Sequence, residues 1–81
     1  MVLQVKDIAH LRELISKGLN RYFIKLNFGL RSSKWLEMNG DNFYVFHEID
    51  GSDEVLTEQE LIDENIGNAI EHGAFCAEYY N

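Results

Sequence analysis

The sequence predicts an α+β fold in which a three-stranded antiparallel meander carries an N-terminal helix and one or two C-terminal helices on one face. Three observations predict it. Asn39-Gly40 stands between two runs rich in apolar and aromatic residues, Trp35-Leu36-Glu37-Met38 and Phe43-Tyr44-Val45-Phe46. Asn-Gly between such runs is the strongest short-range hairpin signal, because a type I′ turn needs positive φ at both central residues. A third run, Tyr22 to Phe28, precedes this hairpin across a turn-like Gly29-Leu30-Arg31-Ser32. Apolar residues at helical spacing flank the meander on both sides.

The 81 residues make one domain, 1–81. A chain of this length buries about 60–70% of the surface its unfolded form exposes, so two layers are its natural limit. An apolar content of 46% is ample for a core, and the absence of proline and of Gly/Ser-rich tracts argues against a linker. The lone Cys76 cannot close an internal disulfide and favours a reducing compartment. The first residues lack the basic start and apolar run of a signal peptide, and no apolar stretch nears the ~20 residues of a membrane span. A soluble, cytoplasmic protein without membrane contact is expected.

Ile8, Leu11, Ile15 and Leu19 mark one face of a helix over Asp7–Lys17, with Leu14 on its flank. Asp7 is the better N-cap, and Gly18 suits the residue beyond the C-terminus. Residues 2–5 are an arm or a strand. Along the meander, Tyr22, Ile24, Leu26 and Phe28 point one way on the first strand. Leu36, Met38, Phe43, Val45 and Ile49 form the apolar face of the hairpin, to be covered by helices. Trp35, Glu37, Tyr44, Phe46 and Glu48 share the other face. Asp50-Gly51-Ser52 reads as a turn. Thr57-Glu58-Gln59-Glu60 is a capping box, opening either one helix from 58 to 72 or two short ones broken at Asp63-Glu64-Asn65. Ile8, Leu11, Ile15, Ile24, Leu26, Leu36, Val45, Leu61, Ile66 and Ile70 are the expected core. The apolar tail Ala74–Tyr80 is expected to dock as a strand or closing turn.

The net charge of −7 is unevenly spread. All seven basic residues lie in the first 34 positions against Asp7 and Glu13, giving that segment +5, while residues 35–81 carry twelve carboxylates and no Lys or Arg. The two ends therefore attract each other in the fold or offer opposite poles to partners.

Phe23, Trp35, Tyr44 and Phe46 form a patch on the sheet face away from the helices, and such a patch binds a protein partner, a second copy of the chain, or its own tail. With Lys25, Arg31 and Lys34 nearby it is also a conceivable platform for single-stranded nucleic acid, although the acidic balance weighs against phosphate binding. The acidic run Asp50–Glu64 carries a further alternative, a nucleic-acid-mimicking decoy for a basic partner. His10, His47, His72 and Cys76 show no zinc-ligand spacing, and the acidic run lacks the ligand pattern of an EF-hand. Cys76 with His72 is the one nucleophile pair available, but Phe75 and Ala77 make this cysteine read as core. The expectation is a non-enzymatic binding module with no catalytic, cofactor or metal residues.

Gly29-Leu30-Arg31-Ser32-Ser33-Lys34, Phe46-His47-Glu48-Ile49-Asp50, Leu56-Thr57-Glu58 and Ile66-Gly67-Asn68-Ala69-Ile70 together resemble short uncharacterised proteins of bacterial phages, plasmids and conjugative elements. The resemblance names no defined family and assigns no residue a role. It implies an accessory protein that binds a host or element-encoded partner.

Overall fold

A computed structural model describes residues 2–25 and 31–79. Leu26, Phe28 and the first half of the turn expected at Gly29–Ser32 lie outside the described residues, as do Met1, Tyr80 and Asn81. The chain runs β1 (Val2–Gln4), α1 (Ile8–Ser16), β2 (Arg21–Lys25), β3 (Arg31–Asn39), β4 (Asn42–His47), β5 (Asp53–Leu56), α2 (Glu58–Leu61), a π-helical turn (Ile62–Ile66), α3 (Gly67–Glu71) and β6 (Phe75–Glu78). Among the described residues the strands form one six-stranded antiparallel sheet in the order β1-β6-β2-β3-β4-β5. The α+β class and the β2-β3-β4 meander are as the sequence predicts, but the sheet is wider: β5, β6 and Val2–Gln4 of the 2–5 segment are strands too. None of the helices is long and apolar enough to cross a membrane, among the described residues.

Local chemistry explains the helix ends. Asp7 Oδ1 accepts the His10 N–H at 2.7 Å, and the Lys6 N–H donates to His10 Nδ1 at 3.0 Å, so two donors before and within the first turn of α1 are satisfied. Thr57 and Glu60 form the expected capping box, with Glu60 N–H to Thr57 Oγ1 at 3.2 Å and Thr57 N–H to Glu60 Oε1 at 3.0 Å. Both helical segments end in the same paired hydrogen bonds. Gly18 N–H reaches Ile15 O and Leu19 N–H reaches Leu14 O; Gly73 N–H reaches Ile70 O and Ala74 N–H reaches Ala69 O. This pattern satisfies the last carbonyls and turns the chain directly into β2 and β6.

The hairpin loop is Gly40-Asp41, one residue beyond the expected Asn39-Gly40: Asn39 pairs with Asn42, and Gly40 takes the positive φ of 62°. Leu36 therefore faces Val45, and Trp35 faces Phe46 rather than Tyr44. Each partner moves by two positions, so every side chain keeps the face predicted for it. The strand ends at His47, however, and Ile49, expected in the core, sits in the following turn at 73% exposure.

The helices all cover one face. Leu11 and Leu14 of α1, Leu61 of α2, Ile66 and Ala69 pack on Tyr22, Leu36, Phe43, Val45, Leu56, Phe75 and Ala77. Ile8, Ile15, Ile24 and Ile70 lie at the margin of this core, only partly buried. Tyr22 stacks on Phe75 with ring centroids 5.8 Å apart, and its buried hydroxyl donates to Leu19 O at 2.8 Å; burial pushes its pKa well above the usual phenol value.

The expected break at Asp63-Glu64-Asn65 is a widening of one continuous helical run. Gly67 N–H bonds to Ile62 O, five residues back. In an α-helix residues 61 and 66 would point about 140° apart. A turn closed over five residues instead brings Ile66 back above Leu61, and both are buried. Gly67 makes this possible, because a Cβ there would lie 2.7 Å from Ile62 Cγ2 and 3.0 Å from Ile62 O. Helix propensity alone favours alanine over glycine by about 1 kcal/mol. Gly67→Ala is expected to do the reverse, destabilising the protein by ~1–3 kcal/mol in urea or thermal unfolding. A stabilised variant would show that the π turn relaxes without cost.

Candidate functional site

Two arrangements of side chains stand out, one on each face of the sheet. On the open face, Trp35 and Phe46 are directly opposed across β3 and β4, Glu37 opposes Tyr44, and Tyr44 opposes Val55 on β5. Trp35, Tyr44 and Phe46 are half-buried and Val55 is exposed. The Tyr44 hydroxyl donates to Asp53 Oδ2 at 2.8 Å, which fixes the ring and raises the phenol pKa. Arg21, opposite Trp35, holds Glu48 at 3.1 Å and Glu78 at 3.5 Å, tying β2, the turn after β4 and β6 together beside the tryptophan.

All four residues singled out by sequence lie on this face, but Phe23 is only 1% exposed, as is its β6 neighbour Cys76 at 2%. Phe23 is therefore not an accessible contact. Val55 was missed because β5 is only four residues long, and Asp53-Glu54-Val55-Leu56 is too short an alternation to read as a strand.

The second arrangement closes one end of the helix-covered face. Lys34 of β3, directly opposite His47 of β4, is 5% exposed and is the buried charged residue of the core layer among the described residues. Glu54 of β5 pairs with Val45 and so sits diagonally from His47 on the same face. The π turn brings Glu64 onto the same spot. His47 Nε2 lies 3.7 Å from Glu54 Oε2, and one ligand atom from each of His47, Glu54 and Glu64 falls within 4.8 Å of the others. Burial presses the Lys34 ammonium downward in pKa, partly offset by Glu64. Glu64 is raised by desolvation, then by the charge of Glu54 and a hydrogen bond shared with it, against the opposing pull of His47 and Lys34.

His47 alone among the considered ligands enters this cluster. His10 accepts the Lys6 N–H just before α1, His72 lies against Asn68 O at the end of α3, and Cys76 is buried on the other face. Sequence reasoning missed Glu54 and Glu64 because seven carboxylates crowd residues 50–64 and spacing gives no reason to choose two.

Each member of that acidic run has an internal partner. Asp50 accepts from Ser52, Asp53 from Tyr44, Glu60 from Thr57 and Asp63 from Gln59; Glu58 pairs with Arg12 at 3.4 Å, and Glu54 and Glu64 join His47. Comparison of the chain with protein-family models, with curated proteins and with solved structures returns no match.

A raised folded-state pKa means that the fold binds the Glu64 proton more tightly than the unfolded chain does. Stability contributed by that proton is present below the unfolded value of 4.5 and is lost as pH rises through the folded value. Glu64→Gln should therefore be more stable than wild type at neutral pH, and the gap should close toward pH 4 in melting curves collected across this window. A gap that widens on acidification would contradict the assignment.

Proposed function

We propose that the protein is a small non-enzymatic protein-interaction module whose working surface is the open face of its sheet. The observation that carries this reading is one-sided helix packing: every helix among the described residues lies on the opposite face, while Trp35, Tyr44, Phe46 and Val55 form a contiguous, partly exposed strip across β3, β4 and β5. Aromatic anchors framed by ion pairs are the usual composition of an interface centre.

The rival readings have weaker support. Lys34, one of three cations that would track phosphates beside these aromatics, is buried beneath the helices on the opposite face, and Arg21 is already held by two glutamates. A nucleic-acid platform would thus have aromatics with few cations, and phosphate contacts dominate such affinity. A decoy would use the acidic run, whose carboxylates serve caps, turns and ion pairs within the fold.

Trp35 is the single tryptophan and reports directly on the strip. Trp35→Ala is expected to fold, with a stability loss below the ~3–5 kcal/mol of a fully buried aromatic. It should lose at least ~2 kcal/mol of binding to the protein captured by wild type from the source cell, or of self-association by sedimentation. Val55→Asp, at an exposed position, is the second variant and should fold normally yet fail to bind. Capture should persist at high salt, since apolar contacts are screened little. Steep loss with salt, or full binding by both variants, would overturn the reading.

A further inference from the structure

We propose that His47, Glu54 and Glu64 form a binding site for one divalent transition-metal ion of the zinc class, with Lys34 as the buried cation that competes for it. The site lies on the helix-covered side of the sheet and is independent of the interaction surface on the open face.

The donor set fits. One imidazole and two carboxylates from three separate elements already converge, with ligand atoms within 4.8 Å of one another. A tetrahedral zinc ion with bonds of about 2.0–2.1 Å needs its ligands about 3.3 Å apart, a contraction open to carboxylates on flexible side chains. His47 and Glu54 are at 3.7 Å and near this separation. Glu64 lies at the solvent edge and can swing inward while leaving an entry path. A nitrogen with two oxygens suits zinc, cobalt or a similar ion; calcium, which takes six to eight oxygens, is poorly served. Three protein ligands leave a fourth position for water.

The second observation is Lys34. This residue is 5% exposed at the position directly opposite His47, and its charge acts on Glu64. Two carboxylates meet there beside the single charge of Lys34, so positive charge is incompletely supplied. A divalent ion supplies it by bonding both carboxylates and His47 at once. The π turn gives this a structural logic, since it aligns Ile66 with the core while turning Glu64 toward β4 and β5.

The test uses the full chain, stripped with a chelator and titrated with zinc, and separately with cobalt. One equivalent should bind saturably, raise the melting temperature, and give cobalt the intense visible absorption of a four-coordinate site. Glu64→Gln, at an exposed position that leaves the fold intact, should weaken zinc binding at least ~10-fold, and His47→Ala and Glu54→Gln likewise. Lys34→Met should bind more tightly than wild type. His10→Ala and His72→Ala should be unaffected. Absence of saturable binding by wild type would overturn the proposal. So would binding that survives Glu64→Gln and His47→Ala unchanged, or that follows His10 or His72.

Discussion

The architecture depends on β6 lying between β1 and β2. Tyr22, Phe23 and Ile24 pair with Ala77, Cys76 and Phe75 on one side of it, and Leu3 pairs with Ala77 on the other. The first and last strands thus pair at one edge of the sheet. Phe75 completes the core through its stack on Tyr22, and Val5 N–H bonds to Phe75 O at 2.9 Å. Without β6, β1 has no partner and the C-terminal helix has no anchor beyond its own packing. A contact spanning nearly the whole chain carries a high loop-closure cost, so the local hairpin is expected to precede it in folding.

Seating β6 also sets the demand that the π turn meets. The helical run must cross from the end of β5 back over the sheet and deliver Phe75 to β2, burying Leu61, Ile66 and Ala69 on the way. A regular α-helix would carry Ile66 off the buried side. The wider turn corrects the phase, and the close approach of residue 67 to Ile62 requires glycine there. The same adjustment directs Glu64 to the His47–Glu54 end of the sheet, so one packing requirement explains both an irregular helix and an unusual polar cluster.

The uneven charge along the chain is used across the fold. Arg12 lies over the Phe43 ring at 4.7 Å, donates to Asp41 O at 3.1 Å and pairs with Glu58, joining α1 to the hairpin turn and the start of α2. Arg21 joins Glu48 and Glu78. Both arginines come from the basic segment and all three glutamates from the acidic one. Exposed pairs of this kind contribute little energy each, but they favour the arrangement that brings the two halves together over alternatives that separate them.

Short-range chemistry was legible in the sequence. Asp7, the Thr57–Glu60 box and Gly73 determine helix ends because a cap involves residues within one turn. The alternation from Trp35 to Phe46 determines which side chains share a face because strand periodicity survives a two-position error in register. Tertiary structure alone decided the rest. Ile49 left the core because β4 stops at His47. β5 and β1 are strands only because neighbours accept their hydrogen bonds. Phe23 is inaccessible although it projects from the open face, and Lys34 is buried because the helices roof over its strand position. Glu54 and Glu64, among many equivalent carboxylates, face His47 only through the sheet register and the widened helical turn. Those outcomes depend on contacts between residues far apart in the chain, and one-dimensional spacing carries no record of them.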